Sequence, residues 1–304
     1  MRVFITGGCG YLGYSIVEQL LPQSNVKEIV VYDNLSRRET SFFFARKFPQ
    51  AHKLRFVEGD ILDNYKLERK LKGMDVVVHA AARVYTPFAD YDSHSFDQIN
   101  NWGTGLVASQ VEKTESVKRV VYLSSTSVYG NTSGEPVNEG SAPAGKSFYG
   151  VSKLRGEKHL QRLADKKEVF ILRLGNVFGY NPATRLDAVI NRFMFEAQAK
   201  GKIEIHGNGE QQRAFAEVEQ TAELIVQCIL GAQYKPETYN VIHYNLSIND
   251  IAEAMRKLYP DLDLMFLDQH LEMNSISVTS KHEMPAARHS LETHLEKFKQ
   301  QFSY

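Results

Sequence analysis

Three glycines spaced i, i+3 and i+6, Gly7, Gly10 and Gly13 in the stretch TGGCGYLG, constrain this chain more than any other feature. Before them runs Val3-Phe4-Ile5, short, apolar and rich in β-formers. After them, from Tyr11 to Leu21, apolar residues recur at helical spacing. The glycines therefore mark a tight strand-to-helix turn. The first backbone N–H groups of a helix have no partner within it and carry partial positive charge, so such a turn suits a phosphate. The spacing differs from G-x-G-x-x-G by one residue between the first pair of glycines. The mechanics are shared: a tight turn, close approach of backbone to a pyrophosphate, and close helix–strand packing.

Short β-rich runs then alternate with helical patterns. Strands are expected at Arg2–Thr6, Glu28–Tyr32, Leu54–Glu58, Asp75–His79, Arg119–Ser124 and Val169–Leu174, with helical segments such as Leu62–Leu71 and Ser152–Leu163 between them. This order implies an α/β fold, a Rossmann-type doubly wound parallel sheet with helices on both faces and ligands at the carboxyl ends of its strands. After residue 174 the pattern is less regular. Helical stretches near Leu186–Lys200 and Gln220–Leu230 mix with turn clusters such as HGNGEQQR. The expected division is a dinucleotide-binding domain over 1–174 and a smaller C-terminal substrate-binding lobe over 175–304, with interleaving of the two left open.

Composition narrows the function. Lys+Arg and Asp+Glu are both 36, so the formal net charge is zero, without the basic surplus expected of a nucleic-acid binder. No apolar run approaches the length of a membrane span. A first strand at residue 2 leaves no room for a secretory leader. Two cysteines, Cys9 and Cys228, form neither a disulfide framework nor a metal site. The expectation is a reduced, cytoplasmic protein without nucleic-acid, membrane or metal partners.

The second strand ends next to Asp33, twenty residues past Gly13. A carboxylate there accepts hydrogen bonds from an adenosine ribose and repels a 2′-phosphate, which favours NAD over NADP. Arg37 and Arg38 lie close enough to blunt that preference. Gly59-Asp60-Ile61 follows the third strand, where Asp60 can meet the adenine amino group. His79-Ala80-Ala81-Ala82 follows the fourth, where small residues let the backbone approach a cofactor. His79 itself reads as a core histidine at a strand end.

The stretch SFYGVSK carries the chemistry. Tyr149 and Lys153 are four apart at the start of a helical pattern and share a helix face. A free tyrosine, with a pKa of about 10, is a poor base at neutral pH. A nearby ammonium and a nicotinamide's positive charge favour the phenolate, which can take a hydroxyl proton while hydride leaves the same carbon. Ser124, Ser125, Thr126 and Ser127, after the fifth strand, offer hydroxyls for the reacting oxygen.

Together, TGGCGYLG, YDNLSRR, GDI, HAAA, SSTSVYG, YGVSK, RLGNVFG and GNGEQQRAF resemble the extended short-chain dehydrogenase/reductase family, in particular its NAD-dependent sugar-nucleotide epimerases and dehydratases. The resemblance covers about the first 230 residues. It implies that Tyr149 is the acid/base, that Lys153 binds the nicotinamide ribose and lowers the tyrosine pKa, and that Ser125 is the catalytic hydroxyl, with Thr126 beside it at the substrate. It implies cofactor contacts from Tyr11, Leu12, Asp33, Asn34, Asp60, Ile61 and Asn100 besides the glycines and alanines. It gives Asn176 and Arg213 to the substrate's diphosphate, a role for which a guanidinium is well shaped. It further implies a homodimer paired through helices near Asp92–Lys113 and Ser147–Leu163.

The reaction is narrower still. The family's sugar 4,6-dehydratases usually carry Asp-Glu after the catalytic threonine, and its decarboxylases a glutamate at the second position. Here those positions are Thr126 and Ser127, which leaves no acid to protonate a departing 6-hydroxyl. The leading expectation is C4 epimerisation of a UDP-hexose through a transient 4-keto sugar. Alternatives are a reductase of a keto sugar or other carbonyl compound, and a catalytically inactive dinucleotide-sensing protein. The chain departs from the family's pattern in three places. RAFAEVEQ puts Ala214 and Glu217 where an acid and a histidine are usual. The tail offers only Arg288 for the family's later arginine. Trp102 replaces a small or polar residue.

Overall fold

The computed structural model describes residues 1–37, 40–44, 47–84, 93–132, 135–231, 233–268, 270 and 274–303. Arg38 and Asp92 lie outside these. The first half runs β1 (Arg2–Thr6), α1 (Tyr11–Leu20), β2 (Glu28–Asp33), α2 (Ser41–Phe44), β3 (Leu54–Glu58), α3 (Asn64–Leu71), β4 (Val76–His79), α4 (Ser93–Phe96), α5 (Thr104–Lys113), β5 (Arg119–Ser125), α6 (Phe148–Gln161) and β6 (Glu168–Leu174). A π-helical stretch, Asp97–Gly103, joins α4 to α5. The second half runs β7 (Asn176–Phe178), α7 (Val189–Lys200), β8 (Lys202–His206), β9 (Gln212–Glu217), α8 (Val218–Leu230), β10 (Thr238–Val241), β11 (Tyr244–Ser247), α9 (Ile248–Leu258), β12 (Asp263–Leu267) and α10 (Leu291–Lys299).

Seven parallel strands form the central sheet in the order β10-β6-β5-β4-β1-β2-β3. The strand order reverses between β1 and β4, and a crevice opens there at the carboxyl ends. The strands are continuous apolar runs because both faces are covered. Alternation divides them: Val3, Ile5, Val76 and Val78 pack under α1 and α8, while Phe4, Val77 and Val120 pack with Val107, Val111 and Leu160 of α5 and α6. A third core gathers α7, α9 and α10 around Phe178, Phe193, Met194 and Phe215.

The chain crosses the division expected at residue 174. Strand β10 adds to β6 at the sheet edge, and α8 packs on α1. Residues 218–241 thus return to the sheet, and the rest of the second half builds two small sheets, β11-β9-β7 and β12-β8. Among the described residues, no helix is long and apolar enough to cross a membrane.

Helix α6 is pinned from below. Ser147 caps its start, accepting from the Gly150 N–H at 3.0 Å. Glu157, on its inner face, accepts Arg173 Nε and Nη2 of β6 at 3.0 and 2.7 Å, and the Ser124 hydroxyl of β5 at 2.5 Å. Both charges are buried. Removing one partner of a buried pair leaves the other uncompensated. Glu157→Ala is therefore expected to cost about 3–5 kcal/mol of stability, read from urea unfolding of the two proteins.

Candidate active site

A cavity of about 610 Å³ opens at the crevice and runs from the glycine turn to β8 and β9. Its floor is backbone. Gly7 has φ +70°, and a Cβ on it would lie 2.6 Å from the Ala81 Cα; a Cβ on Gly13 would lie 2.5 Å from the Gly7 carbonyl oxygen. The start of α1 has no side-chain cap, so its N–H groups face the cavity without a built-in anion. Ala80, Ala81 and Ala82 form the opposite wall.

Asp33, the last residue of β2, lines the cavity on the other side of β1 from these alanines, with Asn34 and Asp60. It accepts the Cys9 and Leu35 N–H groups at 3.1 and 2.9 Å. Burial raises its pKa, and those two hydrogen bonds oppose the rise. Asn34 donates to Asp60 at 2.8 Å. Tyr11, Leu12, Gly10 and Ile61 complete the lining at this end. Arg37 lines the cavity too, 3.8 Å from Asp187 on the far side.

At the centre stand Ser125, Thr126, Tyr149 and Lys153. Burial raises the Tyr149 pKa; a hydrogen bond with the Ser125 side chain and the charges of Arg185 and Arg37 oppose it. The Lys153 ammonium is deeply buried. It donates to the Leu123 carbonyl at 2.5 Å and lies 4.3 Å from the centroid of the Tyr122 ring. Burial pushes its pKa down to about 7, against the pull of Glu157. At the other end Asn176 donates to the Ala214 carbonyl at 3.1 Å, and Arg213 donates to the carbonyls of Gln212 and Asn274.

One expected cofactor contact is placed elsewhere. Asn100 is fully buried outside the lining, where its amide clamps the Arg83 backbone at 2.8 and 2.9 Å and meets Ser152 at 3.1 Å. His79 is the core histidine it reads as, held between Thr6 and Thr104 at 2.7 and 2.9 Å, with burial pushing its pKa down to about 3. Arg288 does not enter the cavity; it is exposed and pairs with Glu223 of α8. Glu217 is a cap, accepting the Glu219 and Gln220 N–H groups at the start of α8. Arg185 and Asp187 line the cavity and were not anticipated. Their segment, TRLDAV, precedes a helix and carries no periodic signal.

The fold and this cavity define an enzyme of the dinucleotide-binding, doubly wound class. The NAD dependent epimerase/dehydratase family matches residues 3–241, and the chain belongs to it. A dTDP-D-glucose 4,6-dehydratase of Mus musculus is 26% identical over 264 residues, 84% of this chain and 72% of that protein. A putative UDP-glucose 4-epimerase of Methanocaldococcus jannaschii is 27% identical over 261 residues, 84% of this chain and 81% of that protein. A solved UDP-N-acetylglucosamine 4-epimerase from Methanobrevibacter ruminantium has a TM-score of 0.85 at 24% identity, over 98% of this chain and 97% of that one. The latter likeness establishes the fold.

The cofactor is NAD, and the residues fit it. The glycine cradle has no space for side chains, the uncapped α1 start offers N–H donors, and the Asp33 carboxylate in the lining would repel a 2′-phosphate.

The buried amine makes a pH-dependent prediction. Below pH 7 Lys153 is charged in both folded and unfolded chains, and its burial penalty is full. As pH rises from about 7 toward the ordinary lysine value the penalty fades, because the unfolded chain alone still holds the proton. Lys153→Met removes the penalty. Its stability relative to wild type should therefore be greater at pH 6 than at pH 9 in urea melts; a difference independent of pH would contradict this account.

Proposed function

We propose that this enzyme epimerises a nucleotide sugar at C4, with a UDP-hexose as the simplest substrate. The observation that carries the reading concerns acids. Among the described residues lining the cavity the carboxylates are Asp33, Asp60 and Asp187. The first two stand at the ends of the strands that bind the adenosine half, and the third is held by Arg185 in a bidentate pair at 2.9 Å. Among the described lining residues, Ser125, Thr126 and Ser127 present hydroxyls and no carboxylate. A 4,6-dehydratase needs an acid to protonate the departing hydroxyl; an epimerase does not.

In this reading Tyr149 takes the proton of the sugar C4 hydroxyl and later returns it. Ser125, hydrogen-bonded to the phenol, holds the same oxygen and orients it. Thr126 lines the sugar end beside it. NAD, when bound, accepts hydride from C4 and gives it back. Lys153 lies one helical turn below Tyr149, where it binds the nicotinamide ribose and adds positive charge. Asn176 and Arg213 hold the diphosphate, and Arg213 is already oriented by two carbonyls. The keto sugar must turn over between the two hydride transfers, and small hydroxyl side chains leave room for it.

The test is proton NMR of UDP-glucose and UDP-N-acetylglucosamine incubated with the protein and NAD. The expected outcome is the galacto epimer without net NADH, and its loss by at least about a hundredfold in Tyr149→Phe with NAD still bound. A 6-deoxy-4-keto product would instead make it a dehydratase.

The pairing helices support a homodimer. Trp102, on the stretch joining α4 to α5, and Phe148, at the start of α6, are 67% and 52% exposed on the helices expected to pair. Light scattering at micromolar concentration should give twice the chain mass of 34.5 kDa.

A further inference from the structure

Arg185 spends two donors on one acid. Its Nε and Nη2 reach the two oxygens of Asp187 at 2.9 Å each. Arg37 Nη2 stands 3.8 Å from one of those oxygens. Arg37 follows β2, in the half that holds the cofactor. Arg185 and Asp187 lie between β7 and α7, in the other half. All three line the cavity that contains Tyr149. Burial raises the Asp187 pKa, but the hydrogen bonds from Arg185 and the charges of Arg185 and Arg37 outweigh it and hold the carboxyl below its ordinary value. Asp187 is thus ionised, and one negative charge faces two positive ones.

We propose that the Arg37–Asp187–Arg185 bridge is a positioning device for the acid/base chemistry of Tyr149: one carboxylate holds two guanidiniums across the cavity and leaves a net positive charge in the cavity that the phenol lines. The proposal rests on the reading of Tyr149 as the acid/base.

Two considerations favour it. The charges of Arg185 and Arg37 pull the Tyr149 pKa down, although burial outweighs them and leaves it raised. Lys153, the other cation of the site, is buried enough to lose its proton near neutrality. A guanidinium cannot be deprotonated in this range, so the bridge supplies a charge that does not vary with pH. The remaining groups around Tyr149 fit this view. Ser125 and Tyr122 of β5 interact with it, and Lys153 of its own helix lines the same cavity. Phe96 of α4 packs edge-on against the ring, with centroids 6.0 Å apart. Lys146, just before α6, lines the same cavity.

The test reads the phenol directly and needs no sugar. NAD-loaded protein carrying tyrosine labelled with carbon-13 at Cζ is titrated by NMR, and Tyr149→Phe identifies the Tyr149 resonance. In Arg185→Gln and in Arg37→Gln the midpoint should move to higher pH. At any pH below the midpoint the phenolate fraction should then fall about threefold or more. Arg185→Lys keeps the charge without the fork and should recover part of the shift. Circular dichroism and retained NAD absorbance establish that each variant is folded; if Arg185→Gln does not fold, Arg37→Gln, whose native side chain is 41% exposed, carries the test. An unchanged midpoint in the folded variants, a midpoint that moves down, or a wild-type resonance that does not titrate up to about pH 11 overturns the proposal. Turnover retained in Tyr149→Phe would instead overturn the acid/base reading, and the titration would still report on the bridge.

Discussion

The buried pair between Glu157 and Arg173 is the contact on which the site depends. It joins α6, which carries Tyr149 and Lys153, to β6, and through the Ser124 hydroxyl to the end of β5, where Ser125 stands. A buried ion pair is a poor source of net stability, because desolvation offsets most of its attraction. What it supplies here is position. Arg173 passes the constraint on, donating to the Tyr129 hydroxyl at 2.8 Å, and Tyr129 donates to Asn240 at 2.8 Å. Asn240 lies on β10, and its N–H reaches Glu139, which also accepts from Ser280 and Lys281. One polar chain therefore runs from the helix of the Tyr/Lys pair to the segment around residue 280.

That segment faces the other end of the cavity. The N–H of Ser275 donates to the Asn131 side chain, that of Thr132 to the Ser275 carbonyl, and that of Ile276 to the Gln212 carbonyl of β9. Asn274 accepts from Arg213. Residues 274–281 thus strap the loop after β5 to β9, and the arginine proposed to hold the diphosphate is oriented by the same strap. The return of β10 to the main sheet makes this possible, because it brings Asn240 beneath Tyr129.

Much of this was legible in the sequence, and for physical reasons. The parallel strands are buried on both faces, so Val3-Phe4-Ile5 and Val76-Val77-Val78 read as apolar runs bounded by turns. The glycine turn could be read because a side chain at Gly7 or Gly13 has no space. Of the expected site residues, Asn100 alone stands outside the lining: position along a helix gave no sign that its amide is consumed by the Arg83 backbone. The short strands after β6 were hidden by their polarity. Thr238-Tyr239-Asn240-Val241 has no long apolar run because it is a sheet edge and carries the buried Asn240. Helix α9 had a usable sign, the Ser247…Asp250 capping box. The Arg37–Asp187–Arg185 bridge had none, since nothing local links a loop after β2 to one before α7.

The cavity divides its positive charge by depth. Lys153 sits at the bottom, where burial weakens its hold on a proton and where Leu123 and the Tyr122 ring fix its direction. The arginines stand less deep, Arg37 41% and Arg185 20% exposed, tied by one carboxylate. A cation at the bottom is strong in its field because little water screens it, but its charge depends on pH and on the company of Glu157. More exposed cations are screened more, but their charge is permanent. In the proposed acid/base role of Tyr149, the arginines favour the phenolate whatever the charge of the amine.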